Sequence, residues 1–191
     1  VNGRLVILSG PSGVGKDQAL CAWRGVNPLV RRVVSYTTRA PAPTEADGAD
    51  YHFVTEVRFT KMIAQGAFLE HKLVHGHRYG TPLANMERLL SEGRIAVLKI
   101  DVQGALEAMA LRPEAIRVFL LPPSWEELER RIRSRGRDDE PQVALRLQTA
   151  RWEMAQAHHY EHHVVNETGR LIDTALALDR IVAAGGGAPE Q

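Results

Sequence analysis

Gly10-Pro11-Ser12-Gly13-Val14-Gly15-Lys16 is the stretch that decides how the rest of this chain is read. It follows an apolar run, Leu5–Leu8, and opens a helical segment, Asp17–Trp23. That is the strand, glycine loop and helix context of a phosphate-binding P-loop. The glycines let successive backbone N–H groups turn toward phosphate oxygens, Lys16 reaches the outer phosphates, and the helix N-terminus adds its partial positive charge. Gly10, Pro11, Ser12, Gly13, Val14, Gly15 and Lys16 are therefore the expected binding loop for a nucleoside triphosphate. One position departs from the pattern: the Ser or Thr that should follow the lysine and hold Mg²⁺ is Asp17, with Gln18 after it.

Outward from the loop, apolar β-branched runs recur as Leu5–Leu8, Val33–Thr38, Ile95–Ile100, Ile116–Leu121 and His163–Val165. Between them lie helical patterns at about Lys16–Trp23, Val57–Ala67, Leu83–Ser91, Gly104–Ala110, Ser124–Arg135, Val143–Gln156 and Arg170–Val182. Strands alternating with helices predict an α/β fold with a parallel sheet covered on both faces. Ser124 before Trp125-Glu126-Glu127 is a capping box, and Gly136 stops the same helix. The 191 residues suit one domain with insertions, and 44% apolar with 25% charged residues is ordinary for a soluble globular protein.

The 24 basic and 23 acidic residues nearly cancel, so bulk charge suggests neither a nucleic-acid nor a membrane partner. No segment is apolar enough to span a bilayer, and the first strand begins too early to leave room for a signal peptide, so the expected location is the cytoplasm. Lone Cys21 has no internal disulfide partner and is expected to pack as a small core residue. The tail 185–191 lacks any apolar period and is expected to be disordered.

Two stretches break the alternation. Ser35–Pro82 is rich in Thr, Pro, Gly, His and Tyr, with strand-like pieces at Tyr51–Val54 and Leu69–Val74, and reads as an inserted subdomain. Glu126–Arg146 carries arginines at 130, 131, 133, 135, 137 and 146. Such a run is usually a solvated helix face, but phosphoryl transfer needs cations that close over the transferring group.

Taken with the P-loop, Ser35-Tyr36-Thr37-Thr38-Arg39, Asp47-Gly48-Ala49-Asp50-Tyr51, Gly66-Ala67-Phe68-Leu69-Glu70-His71, Tyr79-Gly80-Thr81-Pro82 and Ile100-Asp101-Val102-Gln103-Gly104-Ala105 resemble the guanylate kinase family. Pro122-Pro123-Ser124, Arg135-Gly136, Arg146-Leu147 and Val164-Val165-Asn166 continue the match in order. The resemblance implies phosphoryl transfer from ATP to GMP with Mg²⁺, on a core sheet with a GMP-binding insertion and an arginine-bearing lid. Its implied organisation is a core of 1–34, 83–125 and 149–184, an insertion at 35–82 and a lid at 126–148.

In that likeness Glu70 and Asp101 read guanine, accepting from N1–H and the exocyclic amino group, a donor pair adenine lacks; Thr81 adds a hydroxyl to the same edge. Ser35, Arg39, Tyr51 and Tyr79 hold the GMP phosphate. Lys16, Arg39, Arg135 and Arg146 stabilise the transferring group, and Asn166 lies where the family meets adenine. Singly, Glu70 or Asp101 would be an ordinary surface or capping carboxylate, and Tyr51 or Tyr79 a core aromatic; it is their joint occurrence that carries the reading. Arg130, Arg133 and Arg137 remain solvated charge. His158, His159, His162 and His163 lack a cysteine partner and lie at a helix-to-strand transition, which speaks against a zinc site.

The chain departs from the family at three places. Asp17 replaces the Mg²⁺-binding hydroxyl; Lys99 replaces the first acid of Asp-Ile-Asp; Ala42 and Thr44 stand where a second arginine and a glycine are usual. We expect the first two to compensate, Asp17 serving as the carboxylate ligand of Mg²⁺. The alternative is decay, with Asp17 repelling phosphates. The missing arginine should raise the GMP KM unless another cation substitutes; Arg78 is a candidate, though next to Tyr79 on a strand it should point the other way. Two rival functions stay open: a guanylate-kinase-like binding module without catalysis, and a kinase of another phosphorylated acceptor such as ribose 1,5-bisphosphate. Small nucleotides are the expected partners, in a monomer or homodimer.

Overall fold

A computed structural model describes residues 3–74, 76–134 and 139–185. Its first strand, β1 (Arg4–Ser9), is the centre of the molecule. The strand is buried on both faces, as a continuous apolar run predicts. Alternation sends Val6 and Leu8 to one cluster, with Val97, Val118, Trp23 and Leu178, and sends Leu5 and Ile7 to another, with Leu98, Phe119, Met86 and Tyr160.

Around β1 lies a five-stranded parallel sheet in the order β2 (Val30–Arg32), β7 (Ile95–Lys99), β1, β8 (Ile116–Leu121), β9 (His162–Val165). Helices α1 (Lys16–Val26) and α7 (Leu171–Ala183) pack together on one face. Helices α3 (Leu83–Ser91) and α4 (Val102–Leu111) cover the other. Cys21, expected inside, is exposed on α1, because Ala19, Leu20 and Trp23 take the inward face.

A second, mixed sheet runs in the order β4 (His52–Phe53), β3 (Tyr36–Thr37), β6 (His77–Pro82), β5 (Phe68–Val74), with α2 (Glu56–Ala64) between β4 and β5. The single strand expected over Val33–Thr38 is therefore two pieces. Val33 still donates to the Val97 carbonyl of the parallel sheet, at 2.9 Å, whereas Tyr36 and Thr37 pair with the mixed sheet. Strand β6 contains the strand presumed at Arg78 and Tyr79 and runs on through Gly80 to Pro82; Gly80 is required because a Cβ there would lie 2.8 Å from the Phe68 ring.

Helix α5 (Trp125–Arg133) begins at Ser124, whose hydroxyl accepts from Glu127 N–H at 3.1 Å. Helix α6 (Glu140–Ala155) starts three residues earlier than the apolar pattern suggested, capped by Asp139 with Pro141 in its first turn. The pair shares a small core of Leu128, Ile132, Val143 and Ala150. Gly136 and the tail beyond Gly185 lie outside the described residues; Gly185 itself closes α7, donating to Val182 O. No helix of the described residues is long and apolar enough to cross a membrane.

Candidate active site

The loop after β1, the C-terminal end of β7 and the start of α1 border a cavity of about 490 Å³ lined by Gly13, Lys16, Asp17, Lys99, Asp101 and Arg146, among others. The P-loop gives it its floor. Gly15 adopts φ 97°, and a Cβ there would come within 2.5 Å of the Asn166 amide, so only glycine fits. The Asn166 amide in turn donates to Val14 O at 2.8 Å and accepts from the Thr174 hydroxyl at 3.0 Å. The buried Asn166 side chain thus holds the loop in shape. Beside it a further recess of about 310 Å³ is lined by Gly15, Arg130, Arg131 and Asn166.

Lys16 is folded back on the loop, donating to Gly10 O at 2.5 Å and Pro11 O at 3.2 Å. Burial brings its pKa down to about 8, with Lys99 pushing the same way and the Glu153 carboxylate opposing. Glu153, on α6, is a site residue the sequence reading missed. Its carboxylate accepts from Ser12 N–H at 3.0 Å, engaging a P-loop donor, and burial raises its pKa. Arg131 was missed as well: it donates to Val14 O, Asn166 O and the Thr168 hydroxyl, tying α5 to the loop. Arg130 and Arg133 form exposed ion pairs with Glu127, Glu129 and Glu140. Arg135 lies outside the described residues.

A second cavity, about 200 Å³, opens between the two sheets and is lined by Ser35, Tyr51, Glu70, Tyr79, Asp101 and Gly104, with Lys99 at its edge. Tyr51, Lys99 and Asp101 border both cavities. Glu70 is only 7% exposed, and its pKa is pushed up to about 7 by burial and the neighbouring Asp101. Thr81 donates to Glu70 Oε1 at 2.5 Å, so its hydroxyl positions the carboxylate instead of facing the cavity. Asp101 caps α4, accepting from Gly104 N–H at 2.7 Å through Oδ1. Gly104 is the gap between the two acids: a Cβ there would lie 3.1 Å from Glu70 Oε2 and 3.3 Å from Asp101 Oδ1.

Arg39 spans to Tyr79 Oη at 3.3 Å and is bidentate on Glu45, at 2.7 and 2.9 Å; Glu45 raises its already high pKa further. Arg78 pairs with Glu56 at 3.1 Å and does not line the cavity. The two departures at 17 and 99 meet: Lys99 Nζ is ion-paired with Asp17 Oδ1, and Arg32 Nη1 is 4.0 Å from the same oxygen. His158 and His163 each bond a backbone carbonyl, of Ala155 and Ala157.

A phosphate loop whose cavity adjoins a second one, floored by paired carboxylates, defines a P-loop kinase acting on a base-bearing acceptor. Comparison with known proteins makes the assignment specific. The guanylate kinase family model matches residues 2–184. The chain is 48% identical to a guanylate kinase of Leifsonia xyli subsp. xyli over 86% of this chain and 65% of that one, and 44% identical to one from Thermosynechococcus vestitus over 94% and 93%. The crystal structure of guanylate kinase from Anaplasma phagocytophilum superposes with a TM-score of 0.77 at 31% identity, covering 100% of this chain and 88% of that one. The SH3-kinase fragment of tight junction protein 3 shares the fold alone, at 12% identity and a TM-score of 0.51. The chain belongs to the guanylate kinase family.

Proposed function

We infer how this chain carries out the reaction of its family, phosphoryl transfer from ATP to GMP giving ADP and GDP. ATP phosphates lie on Gly10–Lys16 and GMP lies in the cavity between the sheets, its guanine edge on Glu70 and Asp101 and its phosphate among Ser35, Arg39, Tyr51 and Tyr79. The observation that carries this is the convergence of the Glu70 and Asp101 carboxylates on Gly104, in a cavity that shares a wall with the cavity over the P-loop. Carboxylate oxygens accept from the N1–H and amino group of guanine and would be left unpaired by adenine.

A GMP phosphate oxygen attacks the γ-phosphorus; the new O–P bond forms as the bond to the β-phosphate oxygen breaks, and the electron pair leaves with ADP. The attacking oxygen is already anionic, so no general base is needed, and catalysis is positioning plus charge neutralisation by Lys16, Arg39 and Arg146, with Arg135 joining from the lid. Closure of the 35–82 insertion and the 126–148 lid on the core excludes water.

The donors fit Mg²⁺: Asp17 sits beside Lys16 with its side chain 73% exposed, and only one of its oxygens is engaged by Lys99. Although partial desolvation by the protein around its carboxylate pushes its pKa up, Lys99 and Arg32 hold it below the usual value, so it is ionised. Mg²⁺, when bound with ATP, supplies neutralising charge to the phosphate oxygens. We place the enzyme in the cytoplasm, in purine nucleotide metabolism. The test is ADP formation in a coupled assay with Mg·ATP and GMP. Rapid turnover with GMP and a rate at least about 10⁴-fold lower in kcat/KM with AMP is expected. Equal rates with both would refute the base reading.

A further inference from the structure

We propose that Lys99 is a binding residue for the phosphate of the acceptor nucleotide, taking the place of the cation that Ala42 lacks. This rests on the placement of GMP given above. The acceptor-phosphate corner is short of available positive charge. Arg39 is taken up locally, Nη2 by both oxygens of Glu45 and Nη1 by Ala40 O at 2.8 Å, and Glu45 also accepts from Ala42 N–H at 2.7 Å, so residue 42 belongs to the turn that holds this acid. Arg78 is engaged by Glu56 on the far side of its strand.

Lys99 is where the charge is needed. It ends β7, two residues before Asp101, and on extended backbone such side chains share a face, so the ammonium and the base-reading carboxylate project into the same space. Its Nζ stands 5.9 Å from the centroid of Tyr51, the ring that borders both cavities. The ion pair that holds it is lopsided: the Lys99 side chain is 9% exposed, whereas its partner Asp17 is 73% exposed. Releasing Asp17 returns a carboxylate to water at little expense, but the buried ammonium still requires an anion. Arg32, 5.4 Å from the same Tyr51 ring, also leans on Asp17. Two cations beside Tyr51 therefore share one carboxylate, one of them, Lys99, lining the acceptor cavity, and a phosphate dianion fits the surplus.

The experiment is isothermal titration of the whole chain and of Lys99→Met and Lys99→Arg with GMP, with guanosine, which lacks the phosphate, and with ATP. Met preserves the volume of the buried stem, and a thermal melt of each variant establishes that it is folded. The expected result for Lys99→Met is a GMP Kd raised about ten- to a hundredfold with guanosine and ATP affinities unchanged, and partial retention by Lys99→Arg. Equal losses for GMP and guanosine would show Lys99 shaping the cavity only. A loss confined to ATP would assign it to the donor side. Either outcome overturns the proposal. If the unaltered chain binds neither GMP nor guanosine, the placement of GMP itself fails, and the inference with it.

Discussion

Replacing Glu70 by Gln should stabilise the nucleotide-free protein at high pH and not at low pH. Gln is nearly isosteric, keeps an oxygen to accept from Thr81, and does not titrate. In the folded chain the Glu70 carboxyl titrates at about 7, against an ordinary value of 4.5, because burial opposes its charge. The folded state thus holds the proton more tightly than the unfolded chain. Stability is full below the unfolded value, declines as pH rises between the two, and is flat above about 7. At about 1.36 kcal/mol per pH unit the whole interval corresponds to about 3.4 kcal/mol, of which about 0.8 is lost by pH 5 and nearly all by pH 8.5. The advantage of Glu70→Gln should therefore grow by about 2.5 kcal/mol between these pH values, or about 5–10 °C in Tm for a chain of this size.

Calorimetric melts of both proteins at pH 5 and pH 8.5 isolate the effect, since other groups cancel in the double difference. An equal Tm increment at both pH values would refute the reasoning. The same carboxylate must be ionised to accept from guanine. For guanosine, which has no phosphate to titrate, the Kd should accordingly be about tenfold weaker at pH 6 than at pH 8, with the dependence abolished in Glu70→Gln.

Asp17→Ala should raise the half-saturating free Mg²⁺ of the kinase reaction at least about tenfold, the equivalent of about 1.4 kcal/mol, read from magnesium titrations at saturating nucleotide; unchanged magnesium dependence would sink the assignment of Asp17 as a ligand. Glu153→Gln should tighten binding of ADP without magnesium by about fivefold, because the phosphates no longer displace an anion from the Ser12 N–H, an effect of about 1 kcal/mol. Weaker binding in that titration would show that the carboxylate supports the loop through Lys16 instead.

Most of the parallel core was legible in the sequence because β1, β7, β8 and β9 each carry a short apolar run, and β1 leads directly into a glycine loop; β2 was not, since two of its three residues are arginines. The mixed sheet was less so: β4 and β5 showed as the strand-like pieces Tyr51–Val54 and Leu69–Val74, but Tyr36–Thr37 is two residues, too short to show a period, and is held by pairing with β4 on one side and β6 on the other. At the site, Lys16 was marked by its glycine loop, and Glu70 and Asp101 by their joint occurrence in stretches resembling one family, not by any signature of their own. Glu153 and Arg131 were not, since an acid or arginine on a helix looks the same whether it faces water or a loop distant in sequence. Asp17 and Lys99 were each visible as departures, but their ion pair depends on β7 lying next to β1 in the sheet, a relation that spacing along the chain does not contain.

Four of the groups assigned to phosphates share one feature that ties these observations together. Each already has an internal partner: Ser12 N–H has Glu153, Lys16 has the Gly10 and Pro11 carbonyls, Arg39 has Glu45, and Lys99 has Asp17. This local pairing is consistent with the near-neutral charge of the whole chain, and it means that binding of either nucleotide is an exchange of partners. The affinity for a phosphate is then the difference between two charge-assisted bonds and not the strength of one. A binding loss on removing a cation measures that difference. Removing the internal acid instead should strengthen binding, provided the acid has no second role. Glu45 and Glu153 have none with the nucleotides in this reading, whereas Asp17 does, since it is also the Mg²⁺ ligand. Opposite signs for Glu153→Gln and Asp17→Ala are therefore the signature that distinguishes a carboxylate that merely stands in for phosphate from one that works in the reaction.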